Sequence, residues 1–204
     1  MTQPTSDSPG LTIWAVSDGR AGIRNQVLGL AEAVARLTPA TVVEKRAAYR
    51  GALARLPAWM LTAPLRALAP EADRFGPPWP DLWIAAGRAT LPLSTRVRRW
   101  SGDRTFTVQV QDPRWPPRLF DLVVAPRHDG LHGPNVLSIL GSPNRITPER
   151  IHAARLAFAE RLEPLPRPRV AILIGGRSKA FSLPRAHAER LARDVAAAVR
   201  TTGG

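Results

Sequence analysis

Leu11-Thr12-Ile13-Trp14-Ala15-Val16, then Ser17-Asp18-Gly19-Arg20-Ala21-Gly22-Ile23-Arg24-Asn25-Gln26 and a regular apolar stripe, is the stretch whose reading decides the fold. The short apolar run suits a parallel strand buried on both faces. Ile23, Val27, Leu30, Ala31, Val34 and Leu37 recur at three- and four-residue steps, which predicts a helix with one apolar face. Strand, loop and helix make a βα unit, and open α/β sheets bind ligands where strands end and helices begin. Gly19 and Gly22 permit a sharp turn and a close backbone approach, and the free N–H groups of a helix start favour an anion or a hydroxyl-rich ligand. Ser17, Asp18, Gly19, Arg20, Gly22, Asn25 and Gln26 therefore form the first candidate site. The spacing is Gly-x-x-Gly rather than Gly-x-Gly-x-x-Gly, and no Walker lysine follows, so neither standard nucleotide loop is present. The plainer alternative is a βα turn with a polar cap.

Similar units follow. Thr41 to Glu44 reads as a second strand, Asp81 to Ala86 as a third, Thr105 to Val110 as a fourth, Phe120 to Ala125 as a fifth and Asn135 to Leu140 as a short further one. Gly87-Arg88 leads the third strand into a helix carrying Leu93, Val97 and Trp100. The class is α/β, with a Rossmann-like parallel sheet and flanking helices. Tyr49 to Leu68 reads as helical segments broken at Pro57 and Pro64, and Phe75 to Pro80 as a loop. Trp59, Met60, Leu61, Leu65 and Leu68 serve either core packing, the usual role of such residues, or a membrane-surface or partner patch. Thr147-Pro148-Glu149-Arg150 is a capped helix start, and that helix is expected to reach Leu162.

The expected organisation is a disordered N-terminus over 1–10, a Rossmann-like domain over 11–162 and a proline-rich linker over 163–169. Residues 170–204 would begin a second, nucleotide-binding domain: a strand from Val170 to Ile174, then a helix from about Pro184 to Arg200 with Leu191, Val195 and Val199 on one face. One βα unit is too small for an independent core, so the chain is expected to be the N-terminal part of a longer protein, inactive alone.

Further candidate residues sit after the later strands. Arg88 is placed to hold a carboxylate or phosphate near the first loop if the strands are parallel; otherwise it is one surface arginine among many. Gln109-Val110-Gln111-Asp112-Pro113-Arg114 leaves the fourth strand through a stiff turn, and the fifth ends in Arg127-His128-Asp129-Gly130. His128 is a candidate acid or base that Asp129 would orient, although adjacent residues do not ordinarily face each other. His128 and His132 lie among glycines with no third ligand at a compelling spacing, so no metal is expected. Gly175-Gly176-Arg177-Ser178-Lys179 precedes the last helix and is suited either to cradle a diphosphate through backbone N–H groups or to serve as a plain turn.

Composition narrows the classes. The 204 residues carry 29 Lys+Arg against 16 Asp+Glu, a formal net charge of +13. All the cations except Lys45 and Lys179 are arginine and they are scattered, which fits a solvated surface better than a dedicated nucleic-acid face. Any polyanion binding is expected to be salt-sensitive and without sequence preference. With Cys 0 there is no disulfide, thiolate metal site or cysteine nucleophile, and no apolar stretch approaches the roughly 20 residues that span a bilayer. A cytoplasmic location is expected.

Ser17 to Gln26 followed by Leu28-Gly29-Leu30-Ala31-Glu32-Ala33 resembles the opening of the elongated-mitochondria, or mitochondrial fission, family. Pro80 to Arg88, Val108 to Arg114, Phe120 to Asp129, Gly133 to Leu137 and Ile172 to Gly176 follow in that family's order. The resemblance implies a glycosyltransferase-B-like pair of Rossmann-like domains. Bacterial members are often labelled nucleoside-diphosphate-sugar epimerases, but such an epimerase needs a dinucleotide fingerprint that Ser17 to Gly22 lacks. It further implies sugar transfer from a nucleotide-diphosphate sugar, without another cofactor. Ser17 to Gln26, Gly87, Arg88, Gln109, Asp112, Arg114, His128 and Asp129 would line the acceptor side, with Asp18 or His128 as base. Gly175 to Lys179 would touch the donor phosphates. The rival reading, suggested by the plant members, is a non-enzymatic adaptor that contacts membrane or protein at its periphery.

Overall fold

The computed structural model describes residues 10–165, 167, 169–174 and 182–201. The chain divides into two compact units after Ile146.

The first unit runs β1 (Leu11–Ser17), α1 (Ala21–Leu37), β2 (Ala40–Arg46), β3 (Leu82–Ala86), α2 (Leu91–Trp100), β4 (Phe106–Val110), β5 (Leu122–Pro126) and β6 (Val136–Ile139). These strands form one six-stranded sheet in the order β2-β1-β3-β4-β5-β6, every neighbour parallel. Alternation divides its side chains between two faces. Ile13, Ala15, Ile84, Ala86, Val108 and Val110 pack with Val27, Leu28 and Ala31 of α1. Trp14, Val16, Trp83 and Ala85 point the other way, onto Phe75 and onto Leu93 and Val97 of α2. The α1 stripe is used as its spacing predicts, except that Leu37 is 88% exposed at the helix end. Gly29 is required for packing: a Cβ there would lie 2.5 Å from the backbone of Asn144.

Between Tyr49 and Leu68 the expected helical segments are replaced by two short 3₁₀ turns, Gly51–Arg55 and Ala58–Met60. Pro57 and Pro64 each remove a donor and push the preceding residue out of helical geometry. The segment is tied back on itself instead, Arg50 N–H donating to Ala67 O at 3.0 Å and Ala69 N–H to Ala48 O at 2.9 Å. Its apolar residues split between the two roles weighed above. Leu61 is buried and Leu65 and Leu68 pack against the core, whereas Trp59 and Met60 are 67% and 45% exposed.

The second unit contains α3 (Pro148–Ala157), α4 (Ala159–Leu162) and α5 (Arg185–Thr201). Thr147 caps α3, its side chain accepting from Arg150 N–H at 3.3 Å. The single helix expected to Leu162 is interrupted at Phe158, whose φ of −106° leaves helical geometry. Val170 to Ile174 is not a strand: no ladder partner is present among the described residues, and an isolated strand has nothing to satisfy its backbone. Val170, Ile172 and Ile174 instead line an apolar cavity of about 560 Å³ with Leu191, Val195 and Val199 of α5. Gly175 to Lys179 lies outside the described residues, as do residues 1–9. Among the described residues no helix is long and apolar enough to cross a membrane.

Candidate functional site at the carboxyl edge of the sheet

β2 lies on one side of β1 and β3 on the other, so the chain order reverses there, and α/β sheets open a ligand crevice at the strand ends of such a point. Ser17-Asp18-Gly19-Arg20 leaves β1 and Gly87-Arg88 leaves β3. The two turns abut. Gly87 has φ +93°, and a Cβ on it would stand 2.6 Å from Asp18 Oδ2. Asp18 accepts from the Arg20 backbone N–H at 3.2 Å and from Arg20 Nε at 2.9 Å. That hydrogen bond and the attached charge hold the Arg20 pKa above its ordinary value.

Gly19, at φ +84°, is the glycine on which the first turn depends, and its N–H donates to Ser17 Oγ at 3.2 Å. Gly22 is not part of that turn: it lies inside α1, with nothing within 4 Å of a Cβ built on it. Asn25 is exposed, while Gln26 is half-buried and its Oε1 has no hydrogen-bond partner among the described residues.

Behind β4 the loop is held in an unusual shape. Gln111 and Arg114 have φ of +69° and +56°, left-handed values that are uncommon outside glycine. Asp112 stabilises them, accepting from Arg114 N–H at 2.8 Å and pairing with Arg114 Nε at 3.1 Å. Asp112 N–H in turn donates to Asp129 Oδ2 at 3.3 Å. Asp129 therefore anchors this loop as well as approaching His128, whose Nε2 is 3.6 Å from its Oδ1. The His128 side chain is 76% exposed.

A cleft of about 370 Å³ opens at this edge, walled by Trp59 and Trp115, with Arg20, Arg88, Gln109 and Arg114 among its polar residues. Gly87, Gln111 and Asp112 also line it, whereas His128, Asp129, Asn25 and Gln26 do not. Gln109 is 1% exposed, and its Oε1 has no hydrogen-bond partner among the described residues. Arg88 does not stand free for an anion as its position after the strand suggests. Its Nη1–H donates to Leu56 O at 2.7 Å and its Nη2–H to Ala54 O, which braces the loop above the cleft. Trp115 directly follows Arg114 in the loop that leaves β4, whereas Trp59 enters the site only through tertiary structure. Among the described residues no group of three His, Asp or Glu side chains is placed to hold a metal ion.

The family described as mitochondrial fission ELM1 matches residues 21–204, which span α1, the rest of the sheet and everything after it. The chain belongs to the mitochondrial fission ELM1 family. A curated relative, the mitochondrial fission protein ELM1 of Arabidopsis thaliana, is 42% identical over 50 residues, a stretch covering 24% of this chain and 12% of that protein's length. No solved structure matches. Within the ELM1 family member described here, the Asp18, Gly87 and Gln109 positions thus meet at one sheet edge although they are scattered in sequence.

Proposed function

We propose that the carboxyl edge of the sheet binds a phosphorylated, hydroxyl-rich ligand of the nucleotide-sugar class, and that the protein is a glycosyltransferase-like enzyme or a nucleotide-sugar binder. The observation that carries this reading is Gln109: the Oε1 of this buried amide has no hydrogen-bond partner among the described residues, which is costly, and the residue lines the cleft together with Arg20 and Arg114. An N–H or O–H of a ligand would satisfy Gln109, the guanidinium groups would meet its negative charge, and Trp59 and Trp115 offer flat apolar walls for a ring. In glycosyl transfer the base takes the proton of the acceptor hydroxyl, the acceptor oxygen bonds to the anomeric carbon of the sugar, and the bond from that carbon to the diphosphate breaks while donors stabilise the departing diphosphate. Asp18 suits the base better than His128, because it lines a chamber that adjoins the cleft whereas His128 lines neither space.

Gln109→Leu is expected to keep or raise the melting temperature of the free protein and to weaken uridine-diphosphate-sugar binding about tenfold. Thermal shift over a panel of nucleotide sugars, followed by titration calorimetry, tests both parts. No stabilisation by any member of the panel would sink the reading.

A second reading is favoured by Trp59 and Met60, which stand exposed on one 3₁₀ turn of an arginine-rich chain. A cytoplasmic, membrane-peripheral adaptor would use such a patch, and co-sedimentation with anionic vesicles that Trp59→Ala abolishes would support it.

A further inference from the structure

A second chamber of about 270 Å³ adjoins the arginine-edged cleft, and Ala58 and Arg88 line both. Its walls are largely small and apolar, with Ala48, Leu56 and Leu61 among them, and its polar groups are Asp18, Glu71, Arg88 and Tyr49. The Asp18–Arg20 ion pair links the two spaces, since Asp18 lines the chamber and Arg20 the cleft.

Tyr49 is the group that the fold leaves unexplained. It is the single tyrosine of the chain, is 7% exposed, and packs its ring with Leu61 and Ala67. Its backbone is fixed by the bridge to Leu68. Yet its hydroxyl is buried without a hydrogen-bond partner among the described residues. Phenylalanine would fill the same apolar cluster without that cost, so the hydroxyl has no evident structural use. Burial also pushes the phenol pKa up, against the opposing charge of Arg96, so the group stays protonated and able to donate.

We infer that the Tyr49 chamber is a binding site for an uncharged, hydroxyl-bearing group of sugar or polyol size, which accepts a hydrogen bond from Tyr49 and presents its own hydroxyls to Asp18. The volume fits about one sugar ring, and the small apolar side chains suit the C–H faces of such a ring. Asp18 is already paired with Arg20, and Glu71 shares the chamber with the Arg88 guanidinium, so the chamber does not call for a further cation. This inference deepens the reading given under Proposed function and rests on it: the arginine-edged cleft would hold the phosphorylated part and the Tyr49 chamber the acceptor, with Asp18 at their junction.

The test compares the wild-type chain with Tyr49→Phe. Melting temperatures are measured without ligand, and binding of glucose, galactose, N-acetylglucosamine, myo-inositol and, as a cationic control, choline is followed by saturation-transfer NMR. Uridine diphosphate is titrated into the wild type alone. The expected result is an unchanged or higher melting temperature for Tyr49→Phe together with a loss of affinity of about fivefold for at least one uncharged polyol. A fall of several degrees in the variant would make the hydroxyl a structural group and overturn the inference. So would polyol binding that ignores the substitution, or binding confined to choline. Those results, with uridine diphosphate still bound, leave the nucleotide-sugar reading standing; absence of uridine diphosphate binding to the wild type removes that reading itself.

Discussion

Replacing Trp83 with alanine is expected to lower the stability of the sheet unit by about 3–5 kcal/mol. Trp83 is fully buried on β3, the strand that closes the β1 side of the crevice. Its ring centroid lies 5.9 Å from that of Trp14 and 5.6 Å from that of Phe75, and its indole N–H donates to Ser94 Oγ at 2.9 Å. Alanine therefore removes the centre of an aromatic cluster and also strands a buried hydroxyl, since Ser94 is 1% exposed. Such a loss is a large share of the roughly 5–15 kcal/mol that holds a domain folded. Urea unfolding followed by circular dichroism measures it. A change under about 1 kcal/mol would show that the core on the α2 face relaxes around the hole.

The second large effect is expected at Gly87. With φ +93° and ψ 153°, this residue occupies a region nearly confined to glycine, so Gly87→Ala carries a strain of about 1–3 kcal/mol. The new methyl would also stand 2.6 Å from Asp18 Oδ2, and Asp18 cannot yield without disturbing its pairing with Arg20. Both a lower melting temperature and weaker binding of nucleotide sugar should follow. Gly22→Ala is the matched control, because its methyl meets nothing within 4 Å and alanine favours a helix over glycine by up to about 1 kcal/mol. Equal melting temperatures for the two variants would show that the Gly87 turn adapts freely.

The parallel sheet and α1 were legible because their signals are local: apolar runs with alternating faces, and a stripe at helical spacing from Ile23 to Val34. Tyr49 to Leu68 was not, because its alanines and leucines favour a helix while the backbone donors that a helix needs are removed by proline. The site shows the same division. That Asp18 and Arg88 follow strands and Gln109 stands near the end of one could be read along the chain, and parallel pairing places them at one edge. That Arg88 is engaged by carbonyls of Ala54 and Leu56 could not, for the partners are more than thirty residues away in a segment whose local pattern misleads. Tyr49 carried no motif; only its packing beside Leu61 and Ala67 exposes the unused hydroxyl. Gly22 misled for the opposite reason, a glycine suggesting a turn where the helix has already begun.

The place of β1 between β2 and β3 has a kinetic meaning. Its pairing with β2 closes a local unit, Leu11 opposite Ala40, but its other edge waits for β3, where Ile13 stands opposite Leu82. Contacts that distant must be reached by closing a long loop before they return any energy, and chains dominated by them fold in roughly milliseconds to seconds rather than microseconds. During synthesis the ribosome adds about 5–20 residues per second, so β1 would spend several seconds with one edge unpaired. The α1 stripe, formed next in order, is what can shelter one face of that strand meanwhile, while its open edge remains the part of the nascent chain most exposed to mispairing.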